Sequence, residues 1–100
     1  MGTGLQIAQS MHSALHFFNC YKEITTSWLE NSNYIVCLSV KDEFELNKLL
    51  DLVKSKGIKH YAFYEPDLGD RLTAICLEPT PESRKITSSI PLAGKEVTNV

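Results

Sequence analysis

Tyr34-Ile35-Val36-Cys37-Leu38-Ser39-Val40, Asp42 to Gly57, Lys59-His60-Tyr61-Ala62-Phe63-Tyr64 and Arg71-Leu72-Thr73-Ala74-Ile75-Cys76-Leu77 follow one another as strand, helix, strand and strand. The first run is apolar and β-branched, the composition of a buried strand over 34–40. Asp42 stands where a helix needs an N-cap, and Glu45 three residues on completes a capping box. Leu46, Leu49, Leu50 and Val53 recur at helical spacing, Lys54 and Lys56 suit a helix C-terminus, and Gly57 is a natural stop, so a helix is predicted over 43–56. Strands are predicted over 59–64 and 71–78, joined by the turn Glu65-Pro66-Asp67-Leu68-Gly69-Asp70. A sheet of only three strands must be well covered by helices or completed by another chain.

Ahead of this block, Leu5 to Cys20 has a 3.6-residue period. Ile7, Met11, Ala14, Leu15 and Phe18 form an apolar stripe, while Gln9, His12, Ser13 and His16 lie on the opposite one. Burial is expected for Ile7, Met11, Leu15, Phe18, Ile35, Leu49, Val53 and Ile75. Residues 21–33 are polar, with a short helical possibility around Ser27-Trp28-Leu29 and Trp28 closing over the core. After Glu78-Pro79 the chain reads as a polar tail, weakly ordered around Gly94. The pattern describes an α/β fold, one domain spanning 1–100.

The composition, 43% hydrophobic and 22% charged, is that of a globular protein. No apolar run approaches a bilayer span, and no charged n-region followed by an apolar stretch opens the chain, so no membrane association or secretion is expected. Cys20, Cys37 and Cys76 are an odd number without C-x-x-C spacing and read as small hydrophobes in a reducing compartment, the cytoplasm. A net charge of −2 argues against general nucleic-acid binding, which draws on many phosphate-neutralising cations. A local basic patch drawn from Lys54, Lys56, Lys59, Arg71, Arg84 and Lys85 stays compatible with it.

Gln9, His12 and His16 share one helix face, where imidazole suits general base chemistry near neutral pH, although a solvated polar face has the same pattern. His12 and His16 have the i, i+4 spacing of a metal pair, but Ser13 replaces the Glu of H-E-x-x-H and no third ligand is well spaced, so no metal is expected. Asp67, Gly69 and Asp70 offer a loop carboxylate or ordinary turn chemistry. Tyr61, Phe63 and Tyr64 are equally suited to stacking on bases or to packing a sheet face.

Met1-Gly2-Thr3-Gly4-Leu5-Gln6-Ile7-Ala8-Gln9-Ser10-Met11-His12-Ser13-Ala14 resembles the signature helix of type-two peptidyl-tRNA hydrolases, approximately M-G-x-G-K-x-A-A-Q-x-x-H-A. Asp67-Leu68-Gly69 and Leu72-Thr73-Ala74-Ile75 resemble that family's D-A-G and T-V-L segments, with the stretch between them shortened. Lys85-Ile86-Thr87 and Ile90-Pro91-Leu92 resemble its closing segment. The resemblance implies a three-layer α/β/α domain with a small mixed sheet, often dimeric, that hydrolyses the ester between a peptide and the 3′ ribose of tRNA. Carried over by position, Gln9, His12, Asp67 and Thr73 would form the catalytic site, with Arg71 and Lys85 supplying positive charge to the substrate. Asp67 or His12 would orient or deprotonate a water, and Gln9 and Thr73 would hydrogen-bond the ester or terminal ribose. No cofactor is implied; the partner is the 3′ end of peptidyl-tRNA. Two departures stand out. The family's signature lysine falls on Leu5, and the family's strand before the signature helix has no counterpart ahead of Met1. The first leaves a non-catalytic RNA- or protein-binding module as the alternative function; the second leads to the expectation of a homo-oligomer that pairs the open edge.

Overall fold

The computed structural model describes residues 1–95; the last part of the predicted tail, 96–100, lies outside them. Helix α1 runs Thr3–Cys20 and is followed after Tyr21 by α2, Lys22–Asn31. Helix α3, Glu43–Ser55, begins where Asp42 Oδ1 accepts the Glu45 N–H at 2.9 Å, the cap read from the sequence. It ends in a Schellman arrangement: Gly57 takes φ +67°, and the Ile58 N–H donates to the Val53 carbonyl at 3.2 Å. Strands β1, His60–Glu65, and β2, Arg71–Leu77, form an antiparallel hairpin joined by a 3₁₀ turn over Pro66–Leu68. Gly69 leaves that turn at φ +69°, which a side chain would oppose. A last helix, α4, Pro81–Ile86, is capped by Thr80, whose hydroxyl accepts the Ser83 N–H at 3.2 Å. The polar tail of the sequence reading thus contains a helix.

Helix α1 lies along the hairpin and α3 packs against β2, which gives the expected α/β class. Among the described residues the buried apolar ones are Phe17, Leu50, Val53, Ile58, Leu72 and Ala74. Of the residues expected in the core, Val53 is fully buried, and Leu49 and Ile75 are half-buried.

Three expectations are corrected. The sheet among the described residues is a two-stranded antiparallel hairpin and not a mixed sheet of three strands. Tyr34–Val40 is extended chain with a single bridge, Leu38 to Leu92, flanked by hydrogen bonds from Ser39 N–H to Pro91 O and from Ala93 N–H to Cys37 O. Tyr34, Ile35 and Val36 are each at least half exposed, and Cys37 is exposed too. A β-branched run favours a pleated, half-covered surface, but it becomes a strand only beside a partner.

The third correction concerns the facing of α1. Ile7, Met11 and Leu15 are each more than half exposed, and Phe18 is 42% exposed. The buried stripe is Gln9, Ser13 and Phe17. The helix turns its polar face inward because the hairpin offers that face partners, and a satisfied polar contact removes the penalty of burying it.

Candidate active site

The contact between α1 and the hairpin is built around Gln9, which is 1% exposed. Its Nε2 donates to Glu65 Oε1 at 2.8 Å, and its Oε1 accepts from the Thr73 hydroxyl at 3.0 Å. A carboxylate only accepts, so the amide has one workable orientation, nitrogen toward Glu65 and oxygen toward Thr73. Thr73 reaches Gln9 from a β-bulge. Phe63 pairs with Ala74 and Tyr64 with Leu72, which leaves Thr73 as the extra residue of β2.

Beside this chain of hydrogen bonds, the imidazoles of α1 lie on the aromatic side chains of β1. His12 stacks on Phe63 and His16 on Tyr61, each with ring centroids 4.8 Å apart and planes 9° from parallel. Both histidines are exposed, and their ring nitrogens make no hydrogen bond among the described residues. The stacking holds the ring faces against the hairpin while their edges stay exposed.

Glu65 is half-buried, and its carboxyl is held below the ordinary value of 4.5, first by the Gln9 amide, then by the Asp67 N–H. Partial burial opposes that shift, and the nearby positive charge of His12 adds to it. The group is therefore a carboxylate at neutral pH.

Of the residues singled out in the sequence, Gln9 and Thr73 touch directly, and His12 lies close enough to Glu65 to stabilise its charge. Asp67 sits in the exposed 3₁₀ turn. Its N–H donates to Glu65 Oε2 at 3.3 Å, and its carboxylate has no hydrogen-bond partner among the described residues. Arg71 stands opposite Glu65 in the strand ladder, but its guanidinium reaches α3 and pairs with Glu43 at 3.0 Å. Lys85 lies exposed in the last turn of α4 and makes no ion pair with Gln9's neighbours among the described residues. Leu5 is a partly exposed residue of the first turns of α1.

Glu65 is the site residue that the sequence reading missed, having been assigned to the turn. The signal for it was alternation: Tyr61, Phe63 and Glu65 are spaced to share one face of β1, the face that meets α1. Among the described residues no three His, Cys, Asp or Glu side chains gather as metal ligands. Cys76 is an unsuitable nucleophile, since burial pushes its thiol up to about 11. A shallow hollow between α2 and Glu78–Thr80 contains none of these residues. No helix among the described residues is long and apolar enough to cross a membrane.

The arrangement places an imidazole, a half-buried carboxylate and a hydroxyl around a fixed amide, with the Asp67 carboxylate exposed in the adjoining turn, a set suited to orienting water against an ester. The family model of peptidyl-tRNA hydrolase PTH2 matches residues 1–92, which include every residue of this contact. No curated protein matches the chain. With the match covering α1, the hairpin and α4, the chain belongs to the peptidyl-tRNA hydrolase PTH2 family.

Proposed function

We propose that this protein hydrolyses the ester joining a peptide to the 3′ ribose of tRNA, acting in the cytoplasm without a cofactor. The observation that carries the reading is the hydrogen bond from Thr73 to Gln9, which joins the two family motifs across 64 residues of sequence. In this reading His12 and Asp67 orient and deprotonate the attacking water, and Thr73 hydrogen-bonds the substrate beside the scissile ester. Arg71 and Lys85 offer positive charge to the phosphates of the tRNA end. Single-turnover hydrolysis of an N-blocked aminoacyl-tRNA is the direct test. Wild type should cleave it, Asp67→Asn should cleave it more slowly at an unchanged melting temperature, and Leu5→Lys should cleave it faster by restoring a cation near the site. Equal background rates for all three would leave the second reading, an RNA- or protein-binding member of the family, which Leu5 in place of the signature lysine favours.

The outer face of α1 supports assembly into a homodimer. Ile7, Met11, Leu15 and Phe18 form one exposed stripe, on the order of 400 Å² of apolar surface, enough for the centre of a modest interface. The helix carries no Asp, Glu, Lys or Arg, so a second copy meets it about a two-fold axis without like-charge repulsion.

A further inference from the structure

We infer that Glu65 is a positioning residue which, through Gln9, holds the Thr73 hydroxyl as a hydrogen-bond acceptor toward the substrate; this rests on the hydrolase reading above. Thr73 has a single hydroxyl proton, and both recorded contacts of that hydroxyl are to acceptors, Gln9 Oε1 at 3.0 Å and the Phe63 carbonyl at 3.4 Å. The proton is therefore turned inward in either case, and what Thr73 offers outward is a lone pair. That polarity depends on the Gln9 amide keeping its oxygen toward Thr73. Glu65 enforces it, because the nitrogen is the only end of the amide that a carboxylate accepts. Without the carboxylate the amide is free to turn over, present Nε2 to Thr73 and send the hydroxyl proton outward.

The consequence is a specificity. A lone pair repels a developing oxyanion and binds a donor. Beside the scissile ester the donors are the free 2′-hydroxyl of the terminal ribose and the amide N–H of the esterified residue. Gln9, 1% exposed, does not meet the substrate itself and acts only through Thr73. The lowered carboxyl of Glu65 fits an anchor that keeps its charge better than it fits a general base.

The test has two arms. In kinetics, Thr73→Val and Glu65→Ala should each lower kcat/KM roughly tenfold to a hundredfold, and the double variant should be no worse than the poorer single one. Thr73→Ser should keep most of the activity. A substrate ending in 2′-deoxyribose should lose the Thr73 effect if the 2′-hydroxyl is the donor and keep it if the amide is. Additive losses in the double variant overturn the inference. In the free protein, the side-chain amide protons of Gln9 should shift in ¹H–¹⁵N spectra as Glu65 is protonated, below pH 4.5, and that shift should vanish in Glu65→Gln. Among the described residues the other ionisable groups beside Glu65 are His12, Asp67 and Arg71, so the inflection must also survive in Asp67→Asn. A Gln9 signal indifferent to Glu65 overturns the positioning role whatever the enzyme does. Absence of hydrolysis in wild type overturns the hydrolase reading and Thr73's substrate role with it, leaving the orientation of the amide to be decided by the spectra.

Discussion

His12 lies flat against Phe63, with ring centroids 4.8 Å apart and planes 9° from parallel. The face of the ring packs the helix to the hairpin, while its edge, in the proposed hydrolysis, would serve the attacking water. His12→Phe should separate them. The stack survives in that variant, so the melting temperature should change little, whereas single-turnover hydrolysis should fall by about 10²–10⁴ if the imidazole is the base. His12→Ala should lose both, and thermal melts beside rate measurements will tell the two losses apart.

Acid should loosen the helix–hairpin contact through Glu65. Its folded carboxyl lies below 4.5, so near that pH the unfolded chain binds more protons than the folded one. The stabilisation is complete above the unfolded value and disappears as pH falls through the folded one. Urea midpoints measured from pH 7 down to pH 3 should decline for wild type, and the decline should be shallower in Glu65→Gln.

The three cysteines should divide by burial. Cys20 and Cys37 are exposed, while Cys76 is partly buried with its thiol raised to about 11. An aromatic disulfide reagent at pH 8 should titrate two thiols promptly and the third only after denaturation. Prompt reaction of all three would mean that β2 opens readily or is more exposed than the structure has it.

The exposed stripe of α1 predicts its own disruption. Light scattering at micromolar concentration should give the mass of a dimer for wild type and of a monomer for Leu15→Glu. Leu15 is 64% exposed, so the substitution should alter the stability of the separate chain by no more than about 0.5 kcal/mol. A monomeric wild type would remove the proposed pairing.

Much of the local structure was legible in the sequence because local chemistry decides it. Asp42 starts α3 and Gly57 ends it through bonds that reach only a few residues. The facing of α1 was not legible. Periodicity says which side of a helix is apolar, while the side that is covered depends on what arrives from elsewhere, here Glu65, Thr73, Phe63 and Tyr61. The same holds for Tyr34–Val40, whose residues suit a strand that no neighbour completes among the described residues. Gln9 stood out with His12 and His16 on a polar helix face and Thr73 only through its likeness to a family motif, since neither a Gln on a helix nor a Thr in a strand announces a partner 64 residues away.

That long reach has a consequence for the order in which the molecule comes into being. The hairpin pairs residues no more than 17 positions apart, from His60 with Leu77, and α3 closes on itself. Both can form from short lengths of chain. The Gln9 contacts span 56 and 64 residues, and the Leu38–Leu92 bridge joins segments equally remote. Bringing such distant segments together carries a loop-closure penalty that local structure does not. During synthesis α1 emerges well ahead of the hairpin, and its inward polar face waits for those strands to be made. The Gln9 contact thus assembles later than the hairpin or α3, and a chain interrupted before Thr73 carries the signature helix without the hydroxyl that Gln9 accepts from.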